Sequence, residues 1–194
     1  AYVQPEGFWV SDAFHDGHLS GIGLTTADLD GDGLPDIVTG KRRWAHGIKG
    51  DDEPNADPVL YWFELNRDGK GGASFVPRRI DNDSGVGTQF FTGKVNQDGK
   101  PDIVAGPHWY EGPDFRVRHV LAANPGRPYD PIGYSESFVQ LIADLNGDGR
   151  PDVITVGFPG KETYWYENPG AQTDATWKRH LFLAKTDNES PHLL

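Results

Sequence analysis

Apolar residues in this chain come in short runs, Ile37-Val38, Ile103-Val104-Ala105 and Val153-Ile154 among them, and nowhere recur at the 3.6-residue spacing of an amphipathic helix. The runs are β-branched or alternate with polar residues, and clusters of Asp, Asn, Gly and Pro separate them, which is the pattern of short strands joined by tight turns. One stretch recurs. Ala27-Asp28-Leu29-Asp30-Gly31-Asp32-Gly33-Leu34-Pro35-Asp36-Ile37-Val38 is matched by Lys94-Val95-Asn96-Gln97-Asp98-Gly99-Lys100-Pro101-Asp102-Ile103-Val104 and by Ala143-Asp144-Leu145-Asn146-Gly147-Asp148-Gly149-Arg150-Pro151-Asp152-Val153-Ile154. The copies begin at Asp28, Lys94 and Asp144, which makes the repeat unit about fifty residues long.

An aromatic segment ending in an acid follows each copy: Tyr61-Trp62-Phe63-Glu64, Trp109-Tyr110-Glu111 and Tyr164-Trp165-Tyr166-Glu167. A basic, alternating segment comes next: Phe75 to Ile80, Phe115 to Val120 and Trp177 to Leu181. Each unit therefore predicts four antiparallel strands, the signature of a β-propeller blade. The expected fold is all-β, a single propeller domain or propeller fragment over residues 1–194, with complete blades at about 18–81, 86–121 and 135–183. In this reading Phe138 to Ala143 is an innermost strand and the basic segments are outermost. Phe8-Trp9-Val10 looks like an outermost strand and Ser190 to Leu194 like the start of an innermost one, so residues 1–14 and 190–194 form parts of a split further blade. A short ring closed by its own termini and a partial ring completed by other blades both fit. Because unpaired blade edges invite association, the expected partners are further blades of the same parent chain or another copy.

The repeated loops carry the candidate chemistry. The pattern D-x-[DN]-x-D-G-x-x-D sets oxygen side chains at loop positions 1, 3, 5 and 9, and a hard cation of calcium size takes about six to eight oxygens at about 2.3–2.6 Å. Gly33 and Gly149 at position 6 allow the sharp turn, while Pro35 and Pro151 bias the residues before them toward extended geometry, leaving the carbonyls of Leu34 and Arg150 as further ligands. An EF-hand is excluded: Thr39 and Thr155 stand where its Glu is required, and a strand rather than a helix follows. Asp, Asn and Gly also form turns, but turn chemistry alone does not demand four oxygens at fixed odd positions.

The loop and its blade setting resemble the FG-GAP or VCBS repeats of integrin-α-like propellers. The resemblance implies one calcium site at Asp28, Asp30, Asp32, Leu34 and Asp36 and another at Asp144, Asn146, Asp148, Arg150 and Asp152. The middle loop departs from the pattern, since Lys94 replaces the first Asp and puts an ammonium beside Asn96, Asp98 and Asp102, so the reading expects two Ca²⁺ ions and not three. The ions are expected to be staples and not catalysts, because the loop's own side chains fill the coordination shell.

Composition narrows the function. The chain has no Cys, which removes disulfides, thiolate metal sites and thiol catalysis, and its 29 acids against 18 bases argue against a nucleic-acid partner. No apolar run approaches the roughly 20 residues of a membrane span. With neither an initiator Met nor an apolar leader, the chain reads as a mature or excised segment of a secreted, periplasmic or cell-surface protein, the location implied by the resemblance.

Two functional classes stand beside each other. In the first, the protein is a calcium-stabilised extracellular module for binding, adhesion or assembly, with a glycan as ligand. The insertion from Lys41 to Pro58 supplies Arg43, Trp44 and His46 for it, an aromatic face for a sugar ring beside groups that bind hydroxyl or carboxylate. In the second, the propeller belongs to a sugar-active lyase or dehydratase, and Arg43, His46, His108 and Tyr134 converge as an acid/base cluster. No catalytic residue is assigned, because no nucleophile–base spacing occurs. His119 and His180 hold matching places in two units, and Trp62, Trp109 and Trp165 in three, which points to packing roles.

Overall fold

The structure is a computed structural model and describes residues 24–41, 59–82, 91–121, 137–170 and 176–186. Among the described residues the fold is all-β: three antiparallel four-stranded sheets, no helix, and no closure into a barrel. The first sheet holds β1 (Leu24–Ala27), β2 (Asp36–Lys41), β3 (Val59–Arg67) and β4 (Ala73–Asp81). The second holds β5 (Phe91–Gly93), β6 (Asp102–Ala105), β7 (His108–Tyr110) and β8 (Arg118–Val120). The third holds β9 (Val139–Ala143), β10 (Asp152–Val156), β11 (Thr163–Glu167) and β12 (Lys178–Leu183). Within each sheet the strands follow chain order, as short turns between antiparallel neighbours require.

The sheets stack face to face, and the inner strands feed cores between them, whereas the outer strands β4 and β12 are largely exposed. Leu29, Val38, Leu60 and Trp62 of the first sheet and its loop meet Ile103, Ala105, Tyr110 and Phe115 of the second. Val95, Val104, Trp109 and Leu121 meet Val153, Tyr166 and Trp177 of the third. The neighbours Ile103 and Val104 thus serve opposite cores, and β6 is buried at every position. The first strands come together across sheets: β5 lies beside both β1 and β9. The approach is close there: a Cβ on Gly93 would lie 3.0 Å from Ile142 Cδ1, so that side chain would have to give by a few tenths of an ångström. This radial arrangement of four-stranded sheets around their first strands is that of a partial propeller.

Polar bonds tie neighbouring sheets. Tyr110 Oη donates to Asp81 Oδ2 (2.6 Å), which also accepts from Arg118 (3.0 Å). The fully buried Gln140 donates to Gly106 O (2.8 Å) and accepts from Gly106 N (2.9 Å). Asn168 Nδ2 donates to Val95 O (2.8 Å) and to Pro151 O (2.9 Å).

The outer strand of the second sheet is shorter than the sequence suggests. Phe115 has φ 54, outside the strand region, and its amide donates to Glu111 O at 3.0 Å. The turn carries the ring inward, edge-on to Trp62 at 5.5 Å, so burial of an aromatic overrides local strand preference. The expected split blade, residues 1–14 and 190–194, lies outside the described residues.

Candidate metal centre

Each of the three acidic loops links the first and second strands of its sheet. Their turns use the left-handed region: φ is +85 at Gly31, +86 at Gly33, +75 at Gly147 and +82 at Gly149. In the first loop Asp28 accepts from the amides of Gly31 (2.8 Å) and Gly33 (3.0 Å), Asp30 from Asp32 (3.1 Å) and Asp32 from Leu34 (2.7 Å). The third loop repeats this bond for bond, with Asp144 accepting from Gly147 (2.8 Å) and Gly149 (2.9 Å), Asn146 from Asp148 (3.0 Å) and Asp148 from Arg150 (2.8 Å). The second keeps the later part, Asn96 accepting from Asp98 (3.0 Å) and Asp98 from Lys100 (2.8 Å). Lys94 has no acceptor oxygen on its side chain and cannot cap the turn as Asp28 and Asp144 do.

The last Asp of each loop has a separate task. Asp36, Asp102 and Asp152 are fully buried, and each carboxylate bridges the backbone amides of two separate segments. Asp36 accepts from Leu29 (3.2 Å) and Leu65 (2.8 Å), Asp102 from Asn96 (3.2 Å) and Gly112 (3.0 Å), and Asp152 from Leu145 (3.0 Å) and Asn168 (2.9 Å). One oxygen holds the loop and the other holds the third strand itself at Leu65 in the first sheet, or the chain just after it at Gly112 and Asn168 in the other two. Burial pushes the Asp102 carboxyl above the usual carboxylate range, and the Asp98 charge adds to it, against the three amides of Gly112, Asn96 and Val95 that favour the ion.

The loops differ most in their countercharge. Ligand oxygens of Asp28, Asp30 and Asp32 all lie within 4.8 Å of one another. Desolvation raises the Asp30 carboxyl, and the neighbouring charges of Asp32, Asp36 and Glu64 raise it further, opposed by the Asp32 amide. Clustered carboxylates at loop positions 1, 3 and 5 are the oxygen-only donor set that a hard divalent cation takes, and its charge offsets their repulsion. In the third loop the Arg150 guanidinium binds Asp148, and the Asn146 amide donates to the same carboxylate at 3.0 Å. Desolvation pulls Asp148 upward, but the Arg150 amide, Asn146 and the Arg150 charge outweigh it, and its pKa is lowered. In the second loop Gln97, at φ 62, donates through Nε2 to Gly149 O at 2.8 Å and joins the second and third loops.

Of the other candidates, His108 lies on β7 with its ring 6.4 Å from that of Tyr110. Arg43, Trp44, His46 and Tyr134 lie outside the described residues. His119 and His180 stack on Trp109 (4.1 Å, 15°) and Trp165 (4.2 Å, 12°) and pair with Glu111 (3.2 Å) and Glu167 (2.7 Å). Arg78 repeats the arrangement in the first sheet, over Trp62 and bonded to Glu64. Repeat alignment alone identifies Arg78, because it stands opposite Trp62 as the histidines stand opposite their own tryptophans. Asn168 was not legible as an inter-sheet bridge. Its only sequence signal is its place directly after the third aromatic–acid segment.

No helix among the described residues is long and apolar enough to cross a membrane, which says nothing of a β-barrel. No curated protein and no solved structure matches the chain. Residues 20–51, which contain β1, the first acidic loop and β2, match the family model described as FG-GAP repeat, a repeat of propeller-type binding modules.

Proposed function

We propose that this protein is a calcium-stabilised, extracellular propeller module for binding and assembly, of the VCBS-like kind, with a carbohydrate ligand and with further blades or another copy completing the ring. The observation that carries the metal assignment is the convergence of Asp28, Asp30 and Asp32 within 4.8 Å, with no basic residue in their loop. Asp28, Asp30, Asp32, the Leu34 carbonyl and Asp36 would hold one ion, and Asp144, Asn146, Asp148, the Arg150 carbonyl and Asp152 a second. A carboxylate oxygen that already accepts an amide keeps a second lone pair for the ion, so loop geometry and metal binding are compatible.

The ion supplies positive charge, and the chain supplies a turn whose tip stays folded while it binds. With a dissociation constant of about 10⁻⁴–10⁻³ M, an ion at ten times that concentration stabilises the fold by about 1.4 kcal/mol. Thermal unfolding in calcium and in chelator tests this reading. It expects a higher midpoint with calcium, with the shift reduced but not abolished in Asp30→Asn because the third loop keeps its ion, and equal midpoints of the parent chain in calcium and in chelator would reject it. The sugar-active alternative gains nothing from the described residues, which contain only His108 of its proposed cluster.

A further inference from the structure

The three outer strands end their sheets among the described residues, but they are not protected alike. β4 is interrupted by Pro77, and β8 is three residues long. Both features discourage another strand from pairing. β12 is six residues long without a Pro, and it presents Leu181, Phe182 and Leu183 in succession at 58%, 51% and 47% exposure. Its ends are fixed. Trp177 N donates to Leu121 O at 3.3 Å before the strand. After it, Thr186 accepts from Gly160 N (2.7 Å) and donates to Lys161 O (2.8 Å). A bulge at the Thr163/Tyr164 register shift leaves Lys178 to Leu181 as the regular part of the ladder.

Charge selects the occupant. Lys178 and Arg179 are exposed on this strand. Glu167 is shared between His180 at 2.7 Å and Lys178 at 3.7 Å, Arg179 lies 4.4 Å from the Tyr164 ring centroid, and the exposed Glu162 stands at the far end, beside the Thr163 that pairs with Leu183. A second copy pairing β12 with β12 about a two-fold axis would bring two basic edges together, and like charges across paired strands are destabilising. We propose that the β12 edge takes an extended peptide segment of acidic and apolar residues as an added strand. Main-chain hydrogen bonds supply the pairing, Leu181 and its neighbours the apolar contact, and the basic residues the preference for acid.

The probe is a fluorescein-labelled peptide of alternating Glu and Val, titrated with the full chain and read by fluorescence polarisation. Binding is expected to saturate, to weaken with added salt, and to fall about tenfold or more in Arg179→Glu and in Lys178→Glu, because rim charges steer and select partners. Circular dichroism verifies that each variant stays folded. Equal binding of a Lys/Val peptide, or no saturable binding of the Glu/Val peptide, overturns the proposal. So does a peptide-independent dimer in sedimentation that Leu181→Lys dissolves, since the edge would then belong to a second copy.

Discussion

Replacing Asp36 by Asn tests whether the last carboxylate of the loop is a structural clasp in its own right. In the native fold its two oxygens accept from Leu29 N and Leu65 N at 3.2 and 2.8 Å, and the side chain is fully buried. Asn has nearly the same shape but only one acceptor, so one amide meets an NH₂ group and loses its partner. A hydrogen bond to a charged group is worth about 1.5–3 kcal/mol, and a buried donor left unpaired costs about 1–3 kcal/mol. These describe largely the same loss, so the expected destabilisation is about 2–3 kcal/mol. For a chain of this size that lowers the midpoint of thermal unfolding by about 4–12 °C. The assay is unfolding by denaturant and by heat, both in chelator, so that any metal contribution is absent. Asp152→Asn is a replicate in the third sheet, where Leu145 N and Asn168 N take the corresponding places. Variants that unfold within about 0.5 kcal/mol of the parent, the ordinary range for a surface substitution, would refute the clasp.

Other substitutions probe the joints between sheets and the loops. Asn168→Ala removes bonds to Val95 O, Pro151 O and Gly170 N and is expected to cost about 2–4 kcal/mol in equilibrium unfolding. Gly112→Ala would put a Cβ 2.0 Å from Pro101 O, a clash with backbone, whereas Gly33→Ala meets nothing within 4 Å and has only its φ of +86 to contend with. Gly33→Ala should therefore cost about 1–2 kcal/mol, and Gly112→Ala should be the more harmful of the two in thermal melts. Arg150→Leu, the residue at the matching position of the first loop, frees Asp148 of its internal cation. Calcium affinity of the third loop should rise, and no change in calorimetric titration would show that the guanidinium does not compete.

Strand order and the loop pattern were readable from sequence because both rest on local rules: period-2 alternation, positive-φ glycines, and oxygens at odd loop positions. Gly33 and Gly149 do adopt the left-handed conformation that their place in the pattern implies. What escaped was set by contacts between sheets. Phe115 looks like a strand residue in its basic, alternating segment, and only its packing against Trp62 explains why the chain turns there. Asn168 and Gln140 look like surface polar residues until the neighbouring sheet offers them Val95 O and Gly106. The pattern shows where the acids stand but not their countercharge. Asp36 and Asp28 look alike in sequence, yet one is locked between two amides in the interior and the other sits at the loop tip.

The account turns on whether the first acidic loop captures a divalent cation. Isothermal titration of the chelator-treated chain with calcium measures this directly, beside the same titration of the double variant Asp30→Asn, Asp32→Asn. Saturable calcium uptake that approaches two ions per chain, with the first-filled site lost in the double variant, is the predicted result. No binding heat in the parent chain, or an unchanged isotherm in the double variant, would contradict it.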